Sequence, residues 1–109
     1  MELYQILEQK QKQLDYSIKQ IIPNGTASAE SEKEYKILLR QECLKLRDEG
    51  MAIGMIDKTC YGIPSVAEAR FRRDVADAVY KANLEAINAI KKEMDILREQ
   101  IKREWGKDE

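Results

Sequence analysis

Three arginines close together, Arg70, Arg72 and Arg73, are the residues of this chain best suited to bind a charged ligand. Guanidinium groups hold phosphate and carboxylate oxygens through paired hydrogen bonds. The functional interpretation is a contact site for phosphate or for an acidic protein. The alternative is a solvated helix face, on which each ion pair adds only about a few tenths of a kcal/mol. The acidic residues that favour this alternative lie about one turn away: Glu68, Asp74 and Asp77.

The second candidate for chemistry is the pair of thiols, Cys43 and Cys60, in a chain that has no histidine. A zinc site would then need an unusual, carboxylate-rich set of ligands, so we predict no metal site. We expect Cys43 on the apolar face of a helix, as a buried free thiol. We expect Cys60 in a connecting segment, where it would be exposed. A structural disulfide is not expected in a reducing compartment, and neither thiol is assigned a role.

The sequence lacks the usual groups of an enzyme active site. It has no histidine for acid–base catalysis, no glycine-rich phosphate loop and no GxSxG motif. Carboxylates are numerous, but they are interleaved with lysine and arginine along helical faces. We therefore predict no catalytic residues, no cofactor and no enzymatic activity.

Composition limits the remaining classes of function. The chain has 109 residues, 43% apolar and 36% charged, with a net charge of −1. This mixture is typical of helical bundles, and the length predicts one domain over 1–109. The near-zero charge gives no general attraction to nucleic acid or anionic membrane. No apolar run approaches the roughly 18 residues of a membrane span, and the start MELYQILEQ does not resemble a signal peptide, so we expect a cytoplasmic protein.

Glycines and prolines divide the chain into four predicted helices, which cover about 2–22, 28–49, 53–58 and 65–105. The segment Pro23-Asn24-Gly25 is predicted to stop the first helix, because proline lacks an amide donor and its two neighbours favour turns. Ser28 or Thr26 would cap the second helix, and Gly50 would end it.

The last predicted helix begins at Ser65, which forms a capping-box pattern with Glu68, and it has no further glycine before Gly106. Its second half alternates spacings of three and four, as a coiled-coil seam requires. The seam is Ile87, Ile90, Met94, Leu97 and Ile101. Trp105 follows the seam, and we expect it to have an interface role. Its first half carries an apolar stripe that we expect to pack on neighbouring helices: Phe71, Val75, Val79, Ala82 and Ala86.

The predicted fold is therefore all-α, an antiparallel helical hairpin or three-helix bundle with one very long C-terminal helix. The first two segments could each cover about half of that helix, so the seam can pair within one chain or between copies. Any part of the C-terminal helix that these two segments leave uncovered at its end favours a homo-oligomer.

Residues 46–73, LRDEGMAIGMIDKTCYGIPSVAEARFRR, have the order of a helix-turn-helix, with the arginines near the start of the second helix. The turn is about one residue too long, and Asp57 stands where a small apolar residue is usual. The other interpretation is a helix-connecting elbow, residues 51–64, whose apolar side chains fill the end of the bundle. Lys58 and Tyr61 lie in this elbow and join the arginines as candidate contact residues.

Residues 32–106 contain the pieces EKEYK, LRDEGM, YGIP, AEARFRRDVADAVYKAN and QIKREWG. In these pieces the chain resembles small early-region proteins of phages and prophages of Gram-positive bacteria, and RFRRDVA is the most specific block. The resemblance implies a setting rather than a mechanism. Such genes lie near recombination functions, in a region that also encodes inhibitors of bacterial immunity.

Three functions follow as expectations. The first is a non-enzymatic protein that binds and blocks a partner, either a host defence nuclease, as an anti-CRISPR does, or a phage replication or recombination protein. The second is a DNA-binding accessory or regulator that uses residues 46–73. The third is an oligomeric sponge for a nucleotide immune signal, with the three arginines meeting phosphates between subunits. All three place the protein in the cytoplasm of the bacterial host cell, without a membrane partner.

Overall fold

A computed structural model describes residues 2–107 and consists of α-helices joined by short connections. The helices are α1 (Glu2–Lys19), α2 (Ile21–Asp48), α3 (Ile53–Cys60) and α4 (Pro64–Lys107). The prediction of an all-α fold with a very long C-terminal helix is confirmed, since α4 has 44 residues. The described residues form two compact units, 24–80 and 2–23 with 81–107. The single domain over 1–109 stays a prediction.

The first helix boundary lies three residues before the predicted one. The chain turns at Gln20, whose amide donates to the Ser17 carbonyl at 3.2 Å, and α2 begins at Ile21. Pro23 is thus the third residue of α2, where a helix has no acceptor for the backbone amide, so proline costs no hydrogen bond there. The predicted break at 23–25 is therefore wrong. The predicted caps at Thr26 and Ser28 are wrong as well, because both residues lie inside α2.

The unit of residues 24–80 packs α2, α3 and the first part of α4 around a small core. Its buried cluster is Tyr35, Cys60, Val66 and Ala69, with Leu38, Leu39, Cys43, Leu46 and Ile63 packed against it. Gly25 near the start of α2 lies against Tyr80, and Tyr35 further along α2 lies against Arg73, which comes earlier in α4. The two helices are therefore antiparallel within this unit.

Gly50 ends α2 as predicted. It has a φ of +90°, a backbone conformation that favours glycine. Its amide donates to the Arg47 carbonyl at 3.0 Å, and the Met51 amide donates to the Leu46 carbonyl at 3.1 Å. These two bonds form a Schellman motif, which pairs carbonyls that the helix end would otherwise leave without donors. The motif turns the chain toward α3.

The start of α4 differs from the predicted capping box. The helix begins at Pro64, and the carbonyl of Ile63 accepts the first helical hydrogen bond, from the Ala67 amide at 2.9 Å. Proline is favoured at a first helical position because its fixed φ suits the helix and its missing amide is not needed. Ser65 is the second helical residue, so its predicted role as the cap is wrong. The third helix begins at Ile53 as predicted. The predicted ends of the third and fourth helices, 58 and 105, lie two residues before the observed ends of α3 and α4.

The unit of residues 2–23 and 81–107 is an antiparallel pairing of α1 with the second part of α4. Lys10 forms an ion pair with Glu93, and the Asn83 side-chain amide donates to the Ser17 carbonyl at 2.9 Å. In the predicted seam Ile87 and Met94 are buried, and Ile90, Leu97 and Ile101 are half-buried. The seam therefore packs within the chain, while Trp105 at its end is exposed.

None of the helices in residues 2–107 combines the length and the apolar character that crossing a membrane requires.

Candidate functional site

The face of α4 that packs in the unit of residues 24–80 carries residues at alternating spacings of three and four. Its members are Val66, Ala69, Arg73, Ala76 and Tyr80, of which the first two are buried and the others half-buried. This spacing continues in phase into the seam from Ile87.

The apolar stripe predicted to pack on neighbouring helices lies on the opposite side of α4 and is exposed. Phe71, Val75 and Val79 expose 62%, 45% and 49% of their surface, and Ala82 and Ala86 are exposed too. The chain itself therefore does not cover this stripe, and none of its own helices is the expected packing partner. We call Phe71, Val75 and Val79 the α4 stripe. Isolated exposed apolar residues are normal, but three at intervals of one turn form a continuous surface.

Among the three predicted arginines, Arg73 is held inside its own unit. Its guanidinium lies 4.3 Å from the centroid of the Tyr35 ring, and its Nε donates to Asp74 at 3.0 Å. Glu32 lies 3.6 Å away. The hydrogen bond that Arg73 donates to Asp74 is the largest effect that raises the pKa of Arg73 above its ordinary value. The interpretation of paired charges fits Arg73, and this side chain ties α4 to α2.

Arg70 lies one turn before Arg73, whereas the remaining predicted contact residues do not share that side of α4. Successive residues of a helix are rotated by about 100°, so Arg70 and Arg72 point to nearly opposite sides of α4. Arg72 is exposed and Arg70 is half-buried. Lys58 and Tyr61 are exposed at the end of α3 and in the turn after it. The structure therefore does not gather the three arginines around one phosphate.

The elbow only partly fills the end of the bundle. Ile56 is buried and Met51 half-buried, whereas Ile53 and Met55 expose 74% and 53% of their surface. Ile53 also lines an open groove between α2 and α3, which has a volume of about 430 Å³. We call this the α2–α3 groove. Its apolar lining is Leu39, Cys43, Leu44, Ile53 and Ile56, and its charged lining is Lys36, Arg40, Arg47 and Asp57.

The cations of the α2–α3 groove were not among the predicted site residues. Lys36, Arg40 and Arg47 are separated by four and seven residues, which places them on one side of α2. This spacing was present in the sequence, where Glu42 is the only acidic residue between Lys36 and Arg47. The signal becomes specific only when α3 supplies the opposite, apolar wall.

The two thiols meet at the bottom of this region. Cys43 Sγ donates to Cys60 Sγ at 3.1 Å, and Cys60 Sγ donates to the Leu39 carbonyl at 3.7 Å. Cys60 is fully buried, so the expectation that it is exposed is wrong. It is the last residue of α3 and faces the core from there. Burial raises the pKa of its thiol to about 11, and the hydrogen bond with Cys43 acts in the same direction.

The described residues offer a binding partner two surfaces, the α4 stripe and the α2–α3 groove. Within residues 2–107 no three residues of the types His, Cys, Asp or Glu lie where they could hold a metal ion. The α4 stripe offers apolar area, and the α2–α3 groove offers apolar area beside positive charge. Comparisons with family models, curated proteins and solved structures found no match to this chain.

Proposed function

We propose that this chain is a non-enzymatic phage-type protein that binds a partner protein through the α4 stripe and blocks it. The observation that carries the proposal is the exposure of Phe71, Val75 and Val79 on the side of α4 that the chain itself leaves uncovered. The leading case is inhibition of a host defence nuclease, as an anti-CRISPR protein does, in the cytoplasm of the bacterial host. The resemblance of residues 32–106 to phage early-region proteins supports this setting.

The chemistry of the stripe fits an apolar helix of the partner. Burying one large apolar side chain contributes about 1.5–3 kcal/mol, so three neighbouring side chains supply a substantial driving force. Ala78 lies beside them and is exposed, which lets a second helix backbone come close to α4. Arg72 is exposed near the stripe and can select an acidic residue at the edge of the partner.

Affinity capture from a Gram-positive bacterial lysate tests the proposal. The wild-type chain is compared with the double variant Phe71→Asp, Val79→Asp, and with the control Tyr16→Asp, which alters an aromatic residue of similar exposure on α1. A protein held by the wild type and the control, but lost from the stripe variant, supports the proposal. Equal capture by all three proteins, or capture of nothing specific, counts against it.

Self-association through the same stripe is the competing arrangement, and it would make the protein a homo-oligomer. Light scattering separates the two. A monomer at the concentration used for capture leaves the stripe free for another protein. A wild type that is a dimer, with a Phe71→Asp, Val79→Asp variant that is a monomer, would instead assign the stripe to contact with a second copy.

DNA binding by residues 46–73 remains a second candidate, and one observation favours it. Only Tyr61, Gly62 and Ile63 separate α3 from α4, so the turn is shorter than the sequence suggests and has the length found in a helix-turn-helix. A gel-shift assay at several salt concentrations tests it, with Arg70→Gln and Arg72→Gln as the variants. Absence of a shift even at low salt excludes this candidate. The nucleotide-sponge hypothesis has less support, because Arg73 is paired within its own unit.

A further inference from the structure

We propose that Cys43 and Cys60 form a site of reversible oxidative modification, which reacts with an anionic small disulfide such as glutathione disulfide. The two thiols lie on different helices, α2 and α3, and their Sγ atoms are 3.1 Å apart. A disulfide bond is about 2.05 Å long, so the sulfurs need to approach by only about 1 Å. The end of α3 is joined to α4 by three residues, and small movements of such a short helix satisfy that requirement.

The two cysteines have different access to solvent, and this assigns their order of reaction. Cys43 is half-buried and lines the α2–α3 groove, so a small disulfide that enters the groove meets its sulfur first. Cys60 is fully buried and belongs to the core cluster. Cys43 is therefore the attacking thiol, and Cys60 is the resolving thiol that acts from within the core.

The charges of the groove favour an anionic oxidant. Lys36, Arg40 and Arg47 line the groove on α2, whereas Asp57 is its single acidic lining residue. Glutathione disulfide carries net negative charge at neutral pH. The cations raise its concentration beside Cys43 and hold its carboxylates during the exchange. A neutral disulfide of similar reactivity receives no such help.

The reaction balances as two thiol–disulfide exchanges. The Cys43 thiolate attacks one sulfur of glutathione disulfide, which forms a Cys43–glutathione bond and releases one glutathione. The Cys60 sulfur then attacks the Cys43 sulfur, forms the Cys43–Cys60 bond and releases the second glutathione. The protons of both cysteine thiols pass to the two released glutathione thiolates. The cysteine pair loses two electrons, and glutathione disulfide gains them.

The product closes a covalent loop between α2 and α3 over a sequence separation of 17 residues. It removes conformations of the unfolded chain, so the oxidised protein resists urea better than the reduced one. It also fixes the position of α3, and with it the wall of the groove that Ile53 and Ile56 supply. Oxidation thereby links the redox state of the cell to the shape of this surface.

The test uses the purified, reduced full-length chain, treated with glutathione disulfide under native conditions and followed by intact mass. We expect a transient glutathione adduct, then a monomer that has lost two hydrogens and both free thiols, with a higher urea midpoint. Dithiothreitol restores the starting mass. A folded chain that keeps both thiols, while the urea-unfolded chain oxidises, overturns the proposal. So does a wild type that stops at the glutathione adduct.

Single variants test the order of reaction and the charge of the oxidant. Cys60→Ala should accumulate the glutathione adduct at Cys43, whereas Cys43→Ala should stay unmodified. Arg40→Gln should slow the reaction with glutathione disulfide several-fold and leave the rate with neutral 2-hydroxyethyl disulfide unchanged. Modification of Cys60 in Cys43→Ala at the wild-type rate contradicts the assigned order. Equal slowing with both disulfides contradicts the role of the cations. Circular dichroism confirms that each variant is folded.

Discussion

At the scale of single residues, the packing of α2 on α4 depends on a glycine inside a helix. The ring of Tyr80 lies so close to Gly25 that a Cβ atom built there would be 3.3 Å from Cε1. Ser28 and Ala29, which are also small, line the same cleft between the two helices. These small residues leave room for the Tyr80 ring between the two helices, which gives the glycine within α2 a packing role.

Gly25→Leu should therefore lower the free energy of unfolding by about 1–3 kcal/mol, because the added side chain must displace the Tyr80 ring. The matched control is Gly54→Ala in α3, where an added Cβ meets no atom within 4 Å. That change should stabilise the protein by about 0.5–1 kcal/mol, since alanine loses less backbone freedom on folding. Urea unfolding followed by circular dichroism measures both. A Gly25→Leu protein as stable as the wild type would contradict the close packing.

The raised pKa of Cys60 predicts how stability changes with pH. In the unfolded chain this thiol has its ordinary pKa of 9.0, and in the folded chain it has a pKa of about 11. Between these values the unfolded chain releases the proton and the folded chain keeps it, so stability falls as pH rises. Below pH 9 the contribution of Cys60 is fully present.

Cys60→Ala should remove this part of the pH dependence. Urea unfolding of the reduced protein from pH 8 to about 10.5 should give a shallower loss of stability in the variant than in the wild type. Lysines and tyrosines also titrate in this range, but they are common to both proteins and cancel in the comparison. Parallel curves would mean that the Cys60 thiol is no harder to ionise in the folded state.

At the scale of the helices, α4 presents two faces with different expected duties. Its inner face is set by spacings of three and four, and Met94 there is only 2% exposed. The α4 stripe lies on the other side and contributes little to the packing of the chain. Substitutions on the two faces should therefore separate stability from partner binding.

Met94→Ala should cost about 2–5 kcal/mol, since it removes buried apolar contacts and leaves a cavity. Phe71→Ala should change stability by no more than about 0.5 kcal/mol, as is usual for exposed positions. Thermal or urea unfolding of the two variants in the same buffer measures this contrast. A large loss of stability in Phe71→Ala would show that the stripe is packed in solution.

How much of α4 the sequence predicts depends on which half is considered. The seam from Ile87 is predictable because it is the most regular apolar pattern there. Further upstream, the more apolar stripe of Phe71, Val75 and Val79 looks like the packing face and is exposed. The true packing face includes Arg73, whose charge is satisfied by Tyr35 and nearby carboxylates. Asp74 is the next residue in the sequence, but Tyr35 and Glu32 come from α2 and cannot be read from local spacing.

The other sequence predictions divide in the same way, between features set by local sequence and features set by contacts between helices. Gly50 is predictable, because the need for a positive φ is local to the helix end. Pro23 looks like a break and is harmless in the first turn of α2, which depends on where α1 ends. The meeting of Cys43 with Cys60 and the cations of the groove depend on how α3 folds back on α2. Local rules carry no information about that contact.

At the scale of the whole molecule, the two units differ in how much they bury. The unit of residues 24–80 contains five of the buried residues: Tyr35, Ile56, Cys60, Val66 and Ala69. The other unit contains two, Ile87 and Met94, and both of them belong to α4. None of the described residues of α1 is buried, so this helix is held by its half-buried face and a few polar contacts.

Amide hydrogen exchange should therefore show different opening free energies in the two units. Amides of α1 should exchange by local opening, at a lower free energy than the amides of residues 66–80 in α4. Native-state exchange in low urea, read by mass spectrometry of peptides, gives the opening free energy of each segment. Equal protection of α1 and residues 66–80 would mean that the chain opens only as a whole, and would contradict this ranking.

The central claim, that the exposed side of α4 receives a partner protein, is tested most directly by site-specific photo-crosslinking. A photoreactive phenylalanine analogue replaces Phe71 in one protein and Tyr16, which is 67% exposed on α1, in the control. Both proteins are produced in a Gram-positive bacterium and irradiated in the living cells. We expect a discrete adduct with one bacterial protein from position 71 and none from position 16. No adduct at position 71, or the same adducts from both positions, would contradict it.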